Sequence, residues 1–582
     1  MEQEIKNLIK DALKNLSMEV SKITLEHPDD FKNGDYSTNI AMAIARGVER
    51  NPKELAEKIV DEIIRLNVDK NIERIEIAGN GFINFYLSRK FFAKNIEEIL
   101  NKGEKFGENN ALAGQKIMIE YTQPNPFKPF HIGHLMSNAI GESISRIMEF
   151  SGAEIKRANY QGDVGLHVAK AIWGLLDNEK LQSRIGTHNL QASNIGRAYC
   201  RGAELYEIDE KVKKEIDEIN KKIYDKTDKK INEIYEWGFE VTMEAFEDLY
   251  KILGTKFDFY FLESAMSDIG KEIVKDNIGK IFEESDPEPE QARYGAGGAI
   301  IFRGEKYDPK LHTRVFVTSA GLPTYETKEL GLTTEKFKTE PDMDLSVVVT
   351  ASEQMDYMRV VAKAVSLIHP DFASKMKHIT HGMMRLASGK MGSRKGNAIT
   401  GETLLNEAKD SILEKMTDRD FSPEEEEKVA NDVSVSAIKY SILKQGIGGD
   451  IVYDFEKSIS FEGDSGPYLQ YSYARANSVL EKAQKEDILP DPHAFPSEVF
   501  EVEKLLYKFP EIVQRAEKEY EPHYVANYLI EVARSYNSFY GNTAILNKED
   551  KTSPYKVALT YAFSFVMKAG LHLLGIEAPK KM

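Results

Sequence analysis

The chain's 582 residues are too many for one hydrophobic core and imply about three or four domains. Acidic residues outnumber basic ones, 94 against 77, and the formal charge of −17 excludes a protein that attracts polyanions with its average surface. A single cysteine, Cys200, excludes an intrachain disulfide and a cysteine-built zinc site, which fits a reducing compartment.

Residues 1–16 alternate charged and apolar residues at helical spacing with no uninterrupted apolar run. Neither a secretory signal nor a membrane span is expected there, and the cytoplasm is the expected compartment. Residues 1–110 combine two amphipathic helices with strands near 72–77 and 82–87, which predicts a compact α/β domain. From 111 the pattern becomes strand, helix, strand, over 116–121, 135–150 and 153–160. This is a βαβ unit of the doubly wound, parallel-sheet (Rossmann) type, in which ligands bind at the carboxyl ends of the strands. Further strands are expected at 299–302, 314–317 and 345–350. Between them, 202–253 is strongly charged with a helical apolar period, including Ile231, Ile234 and Tyr235, and reads as an inserted helical pair. Beyond about 405 the chain turns almost wholly helical, with amphipathic runs at 430–444, 468–485, 497–519, 522–540 and 553–574.

Two short motifs carry chemistry. His131-Ile-Gly-His134 lies where the first strand turns into its helix. Such a turn offers free backbone N–H groups and the positive end of a helix dipole to a polyphosphate. Gly133 lets a planar base approach the backbone, and both imidazoles can donate to phosphate oxygens that gain charge during attack. Two histidines beside a helix start are ordinarily a capping or core feature, and this tetrapeptide arises by chance in about one chain per thousand of this size. The second motif is basic and glycine-flanked, Lys390-Met-Gly-Ser-Arg-Lys-Gly-Asn397, with Lys390, Arg394 and Lys395 available to a departing pyrophosphate. Alone it would read as a solvated basic turn. Together the two motifs point to one nucleoside triphosphate, ATP, held between separate loops.

The two loops resemble the signatures of class I aminoacyl-tRNA synthetases, and their surroundings narrow the resemblance to the arginyl-tRNA synthetases. Glu120-Tyr-Thr-Gln-Pro-Asn-Pro-Phe-Lys-Pro-Phe-His-Ile-Gly-His134 resembles that family's first-motif stretch. So do Gly34-Asp-Tyr-Ser-Thr-Asn39, Gly81-Phe-Ile-Asn-Phe85, Ser460-Phe-Glu-Gly463, Pro467-Tyr-Leu-Gln-Tyr471, Asn537-Ser-Phe-Tyr540 and Leu574-Gly-Ile-Glu-Ala-Pro579. The resemblance implies an N-terminal α/β domain contacting the tRNA elbow (1–110), a Rossmann-type catalytic domain with a helical insertion at about 180–290 (111–405), and a helical stem-contacting and anticodon-binding domain (406–582). It implies ATP-dependent activation of L-arginine and its transfer to tRNA(Arg), with Mg2+ accompanying ATP, no membrane partner and a monomer as the usual state. Two alternatives stay open: a sister class I synthetase, and a paralogue that binds tRNA without charging it.

The resemblance also assigns roles. Catalysis falls to Lys128, His131, His134, Lys390 and Lys395, and nucleotide binding to His131, Gly133, His134, Gly382, Met384 and Lys390. Lys128 enters because Ser393 stands where many class I enzymes carry a second catalytic lysine, and a lysine just upstream of the first motif is thought to replace it. Arginine falls to Glu120, Asn125, Tyr325, Glu329 and Gln354. Tyr325 and Glu329 are four apart at a helix start and would share a face. Glu329 stands where the family commonly has aspartate, which keeps the charge and alters its reach. Asn39, Tyr540 and Met582 match tRNA-contacting positions. Met136 and Val164 replace the arginine and tryptophan frequent at their positions. The basic stretch 375–395, with Lys377, Arg385, Lys390 and Arg394, offers RNA a local positive surface despite the net charge.

Overall fold

The computed structural model describes all residues except 21, 49, 67–69, 286–297, 388–399 and 417–420. It divides into two compact units, neither continuous in sequence. One is Met1–Phe106 with Arg475–Pro510 and Glu531–Ala569. The other is Gly107–Ala474 with Glu511–Ile530 and Gly570–Met582. Among the described residues, no helix is long and apolar enough to cross a membrane.

In the first unit, the strands Tyr36–Thr38, Phe82–Leu87 and Ile72–Ala78 form an antiparallel sheet in that order. The helices Glu2–Asn15, Ile40–Val48 and Pro52–Arg65 are amphipathic and bury their apolar faces. Their core is not closed by the N-terminal residues alone, because Tyr507 is buried in the same cluster as Tyr36, Phe85 and Phe92. Glu503 adds a buried anchor, accepting from Arg89 at 2.8 Å and from the Tyr555 hydroxyl.

The second unit is built on a five-stranded parallel sheet in the order Met376–His381, Leu345–Ala351, Lys116–Glu120, Glu154–Gln161, Phe259–Leu262. Its central strands are apolar on both faces, as a sheet covered on both sides requires, and Val347, Val349 and Ile119 have no exposed surface. The order in which the chain fills the sheet reverses between the parallel neighbours Lys116–Glu120 and Leu345–Ala351. The crevice at such a switch point is where doubly wound sheets bind ligands.

Several expectations are corrected. The strands near 299–302 and 314–317 form, as Ile300–Arg303 and Thr313–Val317, but they pair antiparallel with each other, and Ile300–Arg303 also with Glu283–Glu284, in a separate sheet. Phe259–Leu262 and Met376–His381, unforeseen, supply the edges of the parallel sheet instead. The insertion is three helices, His188–Ile208, Glu210–Asp225 and Lys229–Leu253, because Asp209 adopts an extended conformation and caps the middle helix by accepting from Lys211 and Val212 amides. In the helical C-terminal part, 497–519 divides into Glu501–Leu506 and Phe509–Glu519.

Candidate active site

The first motif sits at the carboxyl end of Lys116–Glu120, on a loop whose backbone is strained. Thr122, Gln123 and Phe127 adopt left-handed φ of 76°, 51° and 67°, each costing about 1–3 kcal/mol for a residue with a side chain. The loop is held in place by the buried Phe127 side chain and by a relay of hydrogen bonds. Ser137 Oγ accepts from the Thr122 amide at 3.0 Å and donates to the Val349 carbonyl at 3.1 Å, and Asn138 donates to Thr122 Oγ1 at 3.0 Å.

His131 is the N-cap of the helix Ile132–Phe150. The turn does not offer all its amides to a ligand, as expected from sequence, because the histidines take two of them. Gly133 N–H donates to His131 Nδ1 at 3.1 Å, and His131 N–H donates to His134 Nδ1 at 3.2 Å, a reciprocal capping box built from imidazoles. This fixes both tautomers: each Nδ1 is an acceptor, so each ring carries its proton on Nε2. The rings stack with centroids 3.4 Å apart. Partial burial, with the Lys128 ammonium beside it, holds His131 down to about 4, and burial holds His134 well below its ordinary value. At neutral pH the pair is therefore two uncharged Nε2–H donors. Burial and the nearby Lys170 also push Lys128 down. A Cβ on Gly133 would lie 3.0 Å from His131 Cε1, so glycine is also what leaves room for the stacked pair.

Lys390 and Lys395 lie outside the described residues, as do Ser393 and Arg394. The chain on either side of them is held by backbone hydrogen bonds. Before them, Met384–Leu386 pairs in parallel with Ile451–Tyr453, and Ala387 N–H donates to the Tyr453 carbonyl at 2.9 Å. After them, Thr400 bridges to His131, and Gly401 N–H donates to the Phe130 carbonyl at 2.8 Å. The exit of the second motif is thus bonded to the first. Gly382 is packed so closely that a Cβ would stand 2.2 Å from the Gly449 carbonyl oxygen, and Met384 beyond it is half-buried.

Beside this cleft are three carboxylates and two lysines. Glu120, fully buried, accepts from Lys336 Nζ at 2.7 Å and from Gln123 Nε2 at 2.6 Å. Glu263 pairs with the buried Lys328 at 3.2 Å. Among the described residues Glu329 has no lysine paired with it; burial, with Glu120 next in effect, pushes it up to about 8. Tyr357, raised by burial and then by the charge of the nearby Glu329 carboxylate, donates to Gln354 Oε1 at 3.2 Å, so Gln354 joins the same cluster. Asn125 and Glu263 both flank Gly162, where a Cβ would lie 2.4 Å from Asn125 Oδ1 and 3.3 Å from Glu263 Oε2. Tyr325 opens the helix Tyr325–Thr339, 67% exposed, with Lys328 Nζ 5.4 Å from its ring centroid. The five residues assigned to arginine therefore line one end of the sheet. Sequence reading missed Glu263, Lys328, Lys336 and Tyr160, whose buried hydroxyl has no hydrogen-bond partner among the described residues. The available signal was position: Tyr160 is at the end of a parallel strand, and Glu263 directly follows one.

Comparison with known proteins agrees with this geometry. The catalytic-domain model of class I arginyl-tRNA synthetases matches residues 95–455. The arginyl-tRNA synthetase N-terminal domain model matches 3–87, and the DALR anticodon-binding domain model matches 469–582. The arginine-tRNA ligase of Clostridium perfringens is 30% identical over 604 residues, covering 100% of both chains. The chain belongs to the class I arginyl-tRNA synthetases. The ligase of Fusobacterium nucleatum is also 30% identical, over 99% of this chain and 97% of its own. For the fold, the arginyl-tRNA synthetase of Thermus thermophilus superposes with a TM-score of 0.78 over 100% of both chains at 23% identity. That of Plasmodium falciparum reaches 0.75 at 20% identity, covering 100% of this chain and 99% of its own.

The remaining family-assigned positions lie elsewhere. Asn39 is exposed at the turn between Tyr36–Thr38 and Ile40–Val48. Tyr540 is 42% exposed, with the Arg475 guanidinium 5.1 Å from its ring centroid. Met582 packs against the cluster of Ile412, Met416 and Val429. The two departures from the family pattern, Met136 and Val164, are both buried, which accounts for apolar residues there.

Proposed function

We propose that the protein charges tRNA(Arg) with L-arginine at the expense of ATP. The observation that carries this reading is the charge count beside the histidine pair. Three carboxylates, Glu120, Glu263 and Glu329, face two lysines, Lys328 and Lys336. Once Glu329 is ionised as well, which a bound guanidinium beside it favours, one negative charge is left over and matches that guanidinium. A planar fork of donors suits carboxylates on several sides better than a lysine ammonium does.

In the first step an oxygen of the arginine carboxylate attacks the α-phosphorus, the bond to the bridging oxygen breaks, and pyrophosphate leaves. The Nε2–H groups of His131 and His134 donate to the oxygens that gain charge, and Lys128 adds a positive charge at the same place. Removing one such donor costs about 100- to 1,000-fold in rate. Lys390 and Lys395 would neutralise the pyrophosphate. In the second step a ribose hydroxyl at the tRNA 3′ end attacks the acyl carbon, AMP leaves, and the hydroxyl proton passes to solvent. Among the described residues no group of three or more carboxylate, histidine or cysteine side chains is set to hold a metal. Mg2+ would be bound by ATP's phosphates and water, shielding their charge. We take the acting species to be a cytoplasmic monomer.

Amino-acid-dependent ATP–pyrophosphate exchange, run across the twenty amino acids with tRNA present, tests the proposal. Exchange and charging with arginine alone are expected. Charging with another amino acid, or tRNA binding with no charging at all, would overturn it.

A further inference from the structure

We propose that Tyr235, on the inserted helix Lys229–Leu253, is a positioning residue for the arginine subsite, acting through Asp163 on Glu263. The proposal rests on the arginine-charging reading and gives the insertion a task within it.

Asp163 is 1% exposed and sits in the loop that follows the strand Glu154–Gln161. Its two oxygens are used in different directions. Oδ2 accepts from the Tyr235 hydroxyl at 3.0 Å, and Oδ1 accepts from the Ser264 amide at 2.8 Å. Ser264 lies in the first turn of the helix Glu263–Asp276, whose own N-cap, Leu262, has no side-chain oxygen to supply. Asp163 thus caps that helix from another loop, and the residue next to the capped amide is Glu263. A carboxylate can hold this position only if its second oxygen is also satisfied, because a buried acceptor left unpaired is costly. The Tyr235 hydroxyl satisfies it.

The same inserted helix supports the opposite wall of the cleft. The Tyr235 ring stacks on Phe127 with centroids 5.8 Å apart, and Phe130 meets Phe246 at 6.2 Å. At Gly238 a Cβ would lie 2.3 Å from Phe127 Cε1, so the helix receives the Phe127 ring against bare backbone. Phe127 and Phe130 belong to the loop that carries Asn125, Lys128 and His131. One helix face therefore backs both the first-motif loop and, through Asp163, the start of the Glu263 helix. Of these contacts only the Tyr235 hydroxyl can be deleted without changing packing.

The test uses the full-length protein with the substitution Tyr235→Phe, which removes a single oxygen. Arginine dissociation constant by calorimetry, and KM for arginine, ATP and tRNA in aminoacylation, are compared with the wild type, and a melting curve verifies folding. Arginine Kd and KM are expected to rise about tenfold, the low end for losing a hydrogen bond to a charged group. The KM values for ATP and tRNA, and kcat at saturating arginine, are expected to hold. Asp163→Asn, which cannot serve both donors as the carboxylate does, is expected to give the same arginine-selective loss. Unchanged arginine binding in folded Tyr235→Phe would overturn the proposal. So would a loss spread equally over arginine and ATP, the mark of general loosening, or one confined to tRNA. A wild type that charges no arginine would instead overturn the functional reading beneath it.

Discussion

Glu329 differs from its two acidic neighbours in having no lysine partner among the described residues, and the consequence is a pH dependence with a definite sign. Its carboxyl is pushed up to about 8 by burial and by Glu120, so at pH 6 it is mostly protonated and attracts a guanidinium weakly. Raising the pH toward 8 ionises it and strengthens arginine binding. KM for arginine is therefore expected to fall as pH rises from 6 to 8, by up to about tenfold per unit. Glu329→Gln should raise KM and flatten the profile; a wild-type KM independent of pH over this range would reject the assignment. At this scale the sequence was legible where residues belong to a contiguous motif or share a helix face: Glu120, Asn125, His131 and His134 in one stretch, Tyr325 and Glu329 four apart. It was silent on Lys336, which meets Glu120 across 216 positions of chain, and on Lys328 and Glu263, because pairings between remote strands and helices leave no local period. A capping role for the two histidines was in view in the sequence, but its form was not, because only the geometry reveals that each ring accepts from a backbone amide.

The first-motif helix Ile132–Phe150 has to be seated closely on the strand before it for the histidines to face the cleft. Gly141 permits this: a Cβ there would lie 2.2 Å from Tyr121 Cγ. One residue on, Glu142 accepts from the Tyr121 hydroxyl at 2.5 Å, from Arg146 at 2.7 Å and from Arg157 at 3.1 Å. Against the burial that would raise it, the two guanidiniums hold Glu142 below the usual carboxylate range. Arg146 also donates to the Gly254 and His572 carbonyls, and Ser143 donates to that of Leu573, which ties the helix to the insertion's end and to the C-terminal segment. Gly141→Ala is expected to lower stability by about 1–3 kcal/mol, the usual cost of overpacking, and to lower kcat as well, because the helix must shift its N-terminus. Thermal melting and aminoacylation rates check both; a variant with wild-type melting would mean the helix is not seated against Tyr121. Elements with a strong apolar period, such as 116–120, 345–351 and the C-terminal helices, were readable in the sequence. Phe259–Leu262 was not, being four residues long, and Met376–His381 carries Lys377, His378 and His381 within it. The inserted helices were read as a pair because a single aspartate, acting as a cap, separates segments of the same charged, apolar periodicity.

At the scale of the molecule, sequence order suggested consecutive domains, whereas packing joins the N-terminal sheet and helices to Tyr507 in one core. No linear pattern announces a core completed by residues some four hundred positions away. The distribution of titratable groups is a second property of the whole, and it makes the protein acid-sensitive. Burial lowers His134, His167, His378 and His381, with His167 held down to about 3 and His378 to about 4. In the unfolded chain these imidazoles titrate near about 6.5. Below that pH the unfolded state binds protons that the folded state refuses, so stability falls as pH falls from about 6.5 toward 4, and is fully present above it. Glu329 works in the opposite sense: folded, it keeps a proton that the unfolded chain loses above about 4.5, which favours folding toward the acid side of pH 8. Other carboxyls that burial raises, such as Glu263 and Glu503, act with Glu329, and His131, His369 and His572 act with the four imidazoles. The imidazoles set the balance just below neutrality, because their unfolded-state titration begins there. The melting temperature of the ligand-free protein, measured by calorimetry in buffers from pH 7.5 to 5, is expected to drop steadily below about 6.5. The descent should be shallower when one of these histidines, His378, is replaced by glutamine, which cannot take up a proton. A melting temperature that stays level down to pH 5 would mean that these imidazoles accept protons in the folded state, and with that the uncharged donor pair of the first motif would lose its physical basis.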